Sequence, residues 1–156
     1  MEQLKNFKNI DLYEKLKLSD NDFDAWLEQI GLLHGKRTCS ECGGKTSIQP
    51  VKGSRYGNWR CTSKNCRKTF GYLCGTFFQG THLELKKIFQ LSYFWAQRYG
   101  KHEQLEFETG ISQHTICDWI NFFRDVCSMH FIRNPILIGG EGTLPITHSH
   151  FINAKR

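Results

Sequence analysis

The chain has 156 residues, 39% of them hydrophobic, with seven cysteines and a formal net charge of +6. That apolar content argues against an intrinsically disordered chain, and the length suits one medium domain or two to three small ones. Met1-Glu2-Gln3-Leu4-Lys5 lacks the apolar core of a signal peptide, and no stretch approaches a membrane span. A reducing intracellular compartment is expected, with no membrane partner, and there clustered cysteines more often bind metal than pair as disulfides.

Residues 1–35 read as a helical lead-in. Leu12 and Leu16, then Phe23, Trp26, Leu27 and Ile30, recur at three- and four-residue steps and so share a face. Ser19 and Asp20 predict a cap between two short helices, with Asp22 and Asp24 in the second one's first turn, where the helix dipole favours carboxylates. Gly31 and Gly35 close the region.

Residues 36–74 predict a zinc ribbon. Cys39-Ser40-Glu41-Cys42 forms one knuckle, and Cys61 with Cys66 forms a second, looser one. Zn²⁺ favours four thiolates in a tetrahedron, and short knuckles supply two each, so Cys39, Cys42, Cys61 and Cys66 are the candidate ligands of a structural zinc. Cys74 is the substitute if Cys66 is not used. The Cys39/Cys42 spacing also occurs in thioredoxin-type redox sites, although the βαβ context of those sites is missing. Strands are expected over Thr46–Val51 and Arg55–Cys61, with a turn at Lys52-Gly53-Ser54 and a third strand carrying Phe70 and Tyr72. Trp59 lies two residues before Cys61, on the same sheet face, where packing is the expected role ahead of base stacking.

The charge is concentrated here. Between Lys36 and Lys68 there are nine basic residues and one acid, Glu41. Four thiolates on Zn²⁺ offset part of that excess, and the remainder can attract a phosphate backbone by counterion release. Lys45, Lys52, Arg55, Arg60, Lys64, Arg67 and Lys68 are the candidate contacts to double-stranded DNA. A solvated basic face without a partner is the plainer alternative.

Residues 75–133 predict a helix-turn-helix domain. Leu83, Leu85, Ile88, Phe89, Leu91, Phe94 and Trp95 make an apolar helix that stops near Tyr99-Gly100. A short helix over Glu103–Glu108, a turn at Thr109-Gly110-Ile111 and a longer helix from Ser112 to about His130 follow. Leu105, Ile111, Ile116 and Trp119 are expected where these two helices touch, and Cys117 and Cys127 are expected as buried apolar fillers. If the third helix reads DNA, Gln113 suits adenine, while His114, Asn121 and Arg124 are further candidates for bases or phosphates. A plain helical bundle is the alternative.

The order of parts carries a resemblance: the helical lead-in, a ribbon ending Trp59-Arg60-Cys61, then Gly75-Thr76-Phe77-Phe78 with Leu83 shortly after, an aromatic-rich helix, a helix-turn-helix, and Ile138-Gly139-Gly140-Glu141-Gly142. From about residue 25 onward this resembles the N-terminal half of Merlin-type DDE transposases and their bacterial insertion-sequence relatives. The resemblance implies that residues 134–156 are the remnant start of an RNase H-like transposase domain, and that the setting is a nucleus. In that family an Ile-Asp-Glu-Ser run carries the first metal-binding aspartate; here Thr147 stands at that position and His148 at the next.

Two-metal phosphoryl transfer needs converging carboxylates, and a threonine hydroxyl carries no charge to hold Mg²⁺. No catalytic residue is therefore assigned, and the chain is not expected to cut or join DNA alone. His148 and His150 alternate on one face without a third ligand. The expected class is α+β: a small zinc-ribbon β-hairpin domain flanked by helices, a helix-turn-helix three-helix domain and a truncated C-terminal strand. The expected function is transposase-derived DNA binding, with the full-length transposase or a second copy as further partners. The alternatives are a fragment of an active transposase and a zinc-ribbon protein-interaction module.

Overall fold

The computed structural model describes residues 4–135. The expected C-terminal strand, with Thr147, His148 and His150, lies outside them. The described residues form five helices and one three-stranded antiparallel sheet, an α+β arrangement. In chain order these are α1 (Asn9–Leu16), α2 (Asp20–Gln29), β1 (Thr46–Gln49), β2 (Asn58–Cys61), β3 (Thr69–Gly71), α3 (Leu85–Ala96), α4 (His102–Thr109) and α5 (Gln113–Arg133). None of these helices is long and apolar enough to cross a membrane. The chain divides into two compact units, Met1–Ile88 and Phe89 onward.

In the first unit, Ser19 caps α2: its Oγ accepts the Asp22 N–H at 3.2 Å, satisfying one of the donors a helix start leaves unpaired. Leu12, Phe23, Trp26, Leu27, Ile30 and Leu33 are buried, as their spacing requires. The start of α3 belongs with this unit because Lys86 is anchored on the α1–α2 corner. Its Nζ donates to the Leu18 carbonyl at 2.6 Å and pairs with Asp20 Oδ1 at 2.9 Å.

The sheet runs β1-β2-β3, with Thr46 opposite Cys61, Ile48 opposite Trp59, and Trp59 opposite Phe70. Both long strands are shorter than their sequence pattern suggests. Pro50 has no N–H for the ladder, so β1 stops at Gln49. At the same end of the pairing, on the facing strand, Gly57 lies so close to the Gln49 carbonyl that a Cβ there would collide with backbone. Only glycine permits that approach, and β2 starts one residue later.

In the second unit, α4 ends on Gly110 at φ 62°, a left-handed cap that glycine adopts without strain, and its N–H bonds the Glu106 carbonyl. Ser112 then caps α5 by accepting from Thr115 N–H. Leu105, Ile111 and Ile116 are buried. Trp119 is only half-buried. Ile120 and Phe123 are buried and complete the i, i+4, i+7 stripe begun by Ile116, with the Phe123 ring 5.3 Å from Trp95 of α3. Cys127 is exposed and Cys117 half-buried, with its Sγ 3.9 Å from His102 Nδ1, so neither is the buried filler expected.

Candidate metal centre

Cys39, Cys42, Cys61 and Cys66 converge, with all four sulfur atoms within 4.8 Å of one another. Cys39 Sγ lies 3.7 Å from Cys66 Sγ, and Cys42 Sγ lies 3.5 Å from Cys61 Sγ. A tetrahedron with metal–sulfur bonds of about 2.3 Å has edges of about 3.8 Å, so these spacings fit a single tetrahedral ion. No other group of three or more His, Cys, Asp or Glu side chains is placed to hold a metal among the described residues, and Cys74 lies outside the cluster. Its carbonyl instead accepts a hydrogen bond from the Arg37 guanidinium, which stacks on Phe70 at 4.8 Å.

The two knuckles repeat one backbone turn. In the first, Gly43 at φ 67° bonds the Cys39 carbonyl through its N–H, and Cys39 N–H bonds the Gly44 carbonyl at 2.8 Å. In the second, Arg67 at φ 47° bonds the Ser63 carbonyl in the same way. Ser63 thus occupies the turn position that Cys39 holds in the first knuckle. The ligand moves back to Cys61, the last residue of β2, which explains the loose spacing. The left-handed backbone costs about 1–2 kcal/mol for a residue with a Cβ, so Arg67 is held there by its surroundings.

The thiols are electronically unequal. The backbone N–H groups of Cys42, then Glu41, point at the Cys39 sulfur and lower its pKa to about 7. The Gly44 N–H pulls Cys42 downward, but the Cys61 and Cys39 thiols together with burial outweigh it and the net shift is upward. Cys66 is pulled down by the Lys68 N–H, yet burial and the neighbouring thiols take it above its ordinary value. Cys39 is the thiolate most readily available near neutral pH. A metal would supply the positive charge that lets the others ionise.

One face of the sheet anchors this cluster. Trp59 is 3% exposed and donates from Nε1 to the Tyr72 carbonyl at 3.1 Å. The Tyr72 ring stacks on Trp59 at 5.8 Å and on Tyr56 at 5.1 Å. Tyr72 Oη donates to Glu28 Oε1 at 2.8 Å, and burial pushes the Tyr56 hydroxyl up to about 12. Trp59 therefore packs beneath the hairpin, as expected, and its burial leaves no ring face for a base.

The candidate DNA contacts separate into three groups. Arg55 is engaged with the first two turns of α2, whose first turn holds Asp20 and Asp22 but not the expected Asp24. Its Nη2 donates to Asp24 Oδ2 at 2.6 Å and to the Asp20 carbonyl at 2.9 Å, and Nη1 pairs with Asp20 Oδ2 at 3.1 Å. The dipole-favoured acids of α2 thus occupy the guanidinium of this candidate contact. Asp20 is held below its usual range by Lys86 and Arg55, whereas burial outweighs Arg55 at Asp24 and raises it. Lys45, Lys52, Lys64 and Arg67 are exposed, with no ion pair to the described residues.

Lys68 meets Glu41 at 3.4 Å, both more than half exposed, and Arg60 donates to Gln49 Oε1 at 3.2 Å. On α5, Gln113 donates to Glu106, His114 lies beside Asp118, and Arg124 donates to Asn121, all at the surface. Such exposed pairs are worth little, so they exchange readily for another partner. Comparison with protein-family models, curated proteins and solved structures returns no match.

Proposed function

We propose that this chain is a DNA-binding protein in which a structural Zn²⁺ on Cys39, Cys42, Cys61 and Cys66 holds a cationic ribbon against the phosphate backbone. The helix pair α4–α5, in the second unit, acts as a helix-turn-helix. The observation that carries this reading is the convergence of four thiols beneath a segment with no acid between Glu41 and Glu84 and seven Lys or Arg residues in that interval. Phosphate contacts from such a surface position a protein without reading sequence, leaving any base readout to the start of α5, where Gln113 and His114 are exposed.

The resemblance to Merlin-type transposases supports a transposase-derived origin in a nucleus. Thr147, in place of the first catalytic aspartate, supports a binding role over strand transfer. A protein-interaction role has one observation in its favour: Val126, Met129, Phe131 and Ile132 are exposed along the last turns of α5. Duplex retention measured against salt separates the two. DNA binding through this surface gives a steep fall, with log K declining by about 0.9 for each phosphate neutralised per unit of log salt. A flat profile, or no retention in dilute buffer, contradicts the proposal.

A further inference from the structure

The two faces of the sheet differ in kind. Thr46, Ile48, Trp59, Cys61 and Phe70 share the face that holds the thiols and the aromatic stack. The opposite face carries Ser47, Gln49, Asn58, Arg60 and Thr69: Ser47 stands opposite Arg60, Arg60 opposite Thr69, and Gln49 opposite Asn58. Lys45, one residue before β1, has the same parity and is exposed. This face has no carboxylate and no aromatic ring. Its central residue, Arg60, is steadied by the Gln49 side chain.

We infer that this outer face is a grip for double-stranded DNA, centred on Arg60, and that it discriminates against single strands. The inference rests on the DNA-binding reading above and adds to it the surface and the form of nucleic acid. A guanidinium flanked by a lysine, amides and hydroxyls offers several donors to phosphate oxygens, which is how proteins take hold of a duplex backbone. Single-strand binders combine a basic groove with aromatic platforms on which bases stack. Every aromatic side chain of the strands here, Trp59 and Phe70, belongs to the other face. Arg55 does not contribute, because α2 holds it.

The test uses the full zinc-loaded chain with a fluorescent duplex and a single strand of the same length, titrated at several salt concentrations. The variants are Arg60→Gln, Arg60→Lys and Lys45→Gln, with Lys17→Gln on the α1 side as a charge-matched control. Metal content and melting temperature identify any variant that has lost its fold. Arg60→Gln and Lys45→Gln each weaken duplex binding and lower the log–log salt slope by about 1. Arg60→Lys keeps the slope, Lys17→Gln matches the parent, and the duplex binds more tightly than the single strand.

If the parent binds duplex but Arg60→Gln and Lys45→Gln bind equally well, the outer face is the wrong surface while the DNA-binding reading survives. Equal or tighter binding of the single strand overturns the claimed discrimination. Failure of the parent to bind any duplex in dilute buffer overturns both.

Discussion

Stripping the metal with a strong chelator unfolds the sheet of the first unit and leaves the second unit's helices folded. Structural zinc contributes about 10–16 kcal/mol of apparent binding energy in small zinc domains, comparable to the whole stability of a typical domain. The three strands are only three or four residues long, and two of the four ligand cysteines are buried beneath them. Beyond the metal, the knuckle turns are held by a few backbone hydrogen bonds, those of Gly43 and Arg67 among them. Native-state amide exchange reads this directly: protection is lost over Thr46–Gln49 and Asn58–Cys61, while Ile116–Phe123 keep theirs. Cys39→Ser reproduces the loss.

Acid has the same effect. Each ligand must shed a proton to bind, so metal occupancy falls as the pH drops. Ionisation is easiest at Cys39, near pH 7, and is resisted at Cys42 and Cys66. Exchange protection in β1 and β2 that is indifferent to the chelator would contradict a metal-built sheet.

Trp59→Ala is a severely damaging change in the first unit, with an expected loss of about 3–5 kcal/mol. Three contributions disappear together. The buried ring leaves a cavity opposite Ile48 and Phe70, the stack with Tyr72 is broken, and the Tyr72 carbonyl loses the indole N–H. Tyr72 also connects the sheet to α2 through Glu28, so its displacement loosens the lead-in. Trp59→Phe keeps most of the apolar volume and loses the hydrogen bond, for about 1 kcal/mol. Denaturant unfolding monitored through the sheet amides orders the three proteins as parent, Trp59→Phe, Trp59→Ala. A Trp59→Ala protein within 1 kcal/mol of the parent, on the scale of one hydrogen bond, would show that the stack does not hold the hairpin.

The local features of this fold were readable from sequence because their causes lie within a few residues. Ser19 and Ser112 cap the helices they precede, Gly110 ends α4, and the four cysteines of the two knuckles converge. Features that depend on distant partners were not readable. Arg55 looked like one more exposed cation, yet Asp20 and Asp24, some thirty residues earlier, claim it.

The strand ends were misjudged because alternation continued past Pro50 and Gly57, two residues whose effect depends on the neighbouring strand. Trp119, an apolar position expected at the α4–α5 contact, is half-buried, and the fully buried stripe of α5 runs through Ile116, Ile120 and Phe123. The second knuckle's spacing made sense only once Ser63 was seen to take the turn position of a ligand.

The most direct test of the central claim follows binding of the full chain to a fluorescent duplex through three states: zinc-loaded, chelated and reloaded with one equivalent of Zn²⁺. The account predicts salt-sensitive binding in the first state, its loss in the second and its recovery in the third. Equal binding in all three states would show that the thiol cluster does not build the surface that meets DNA.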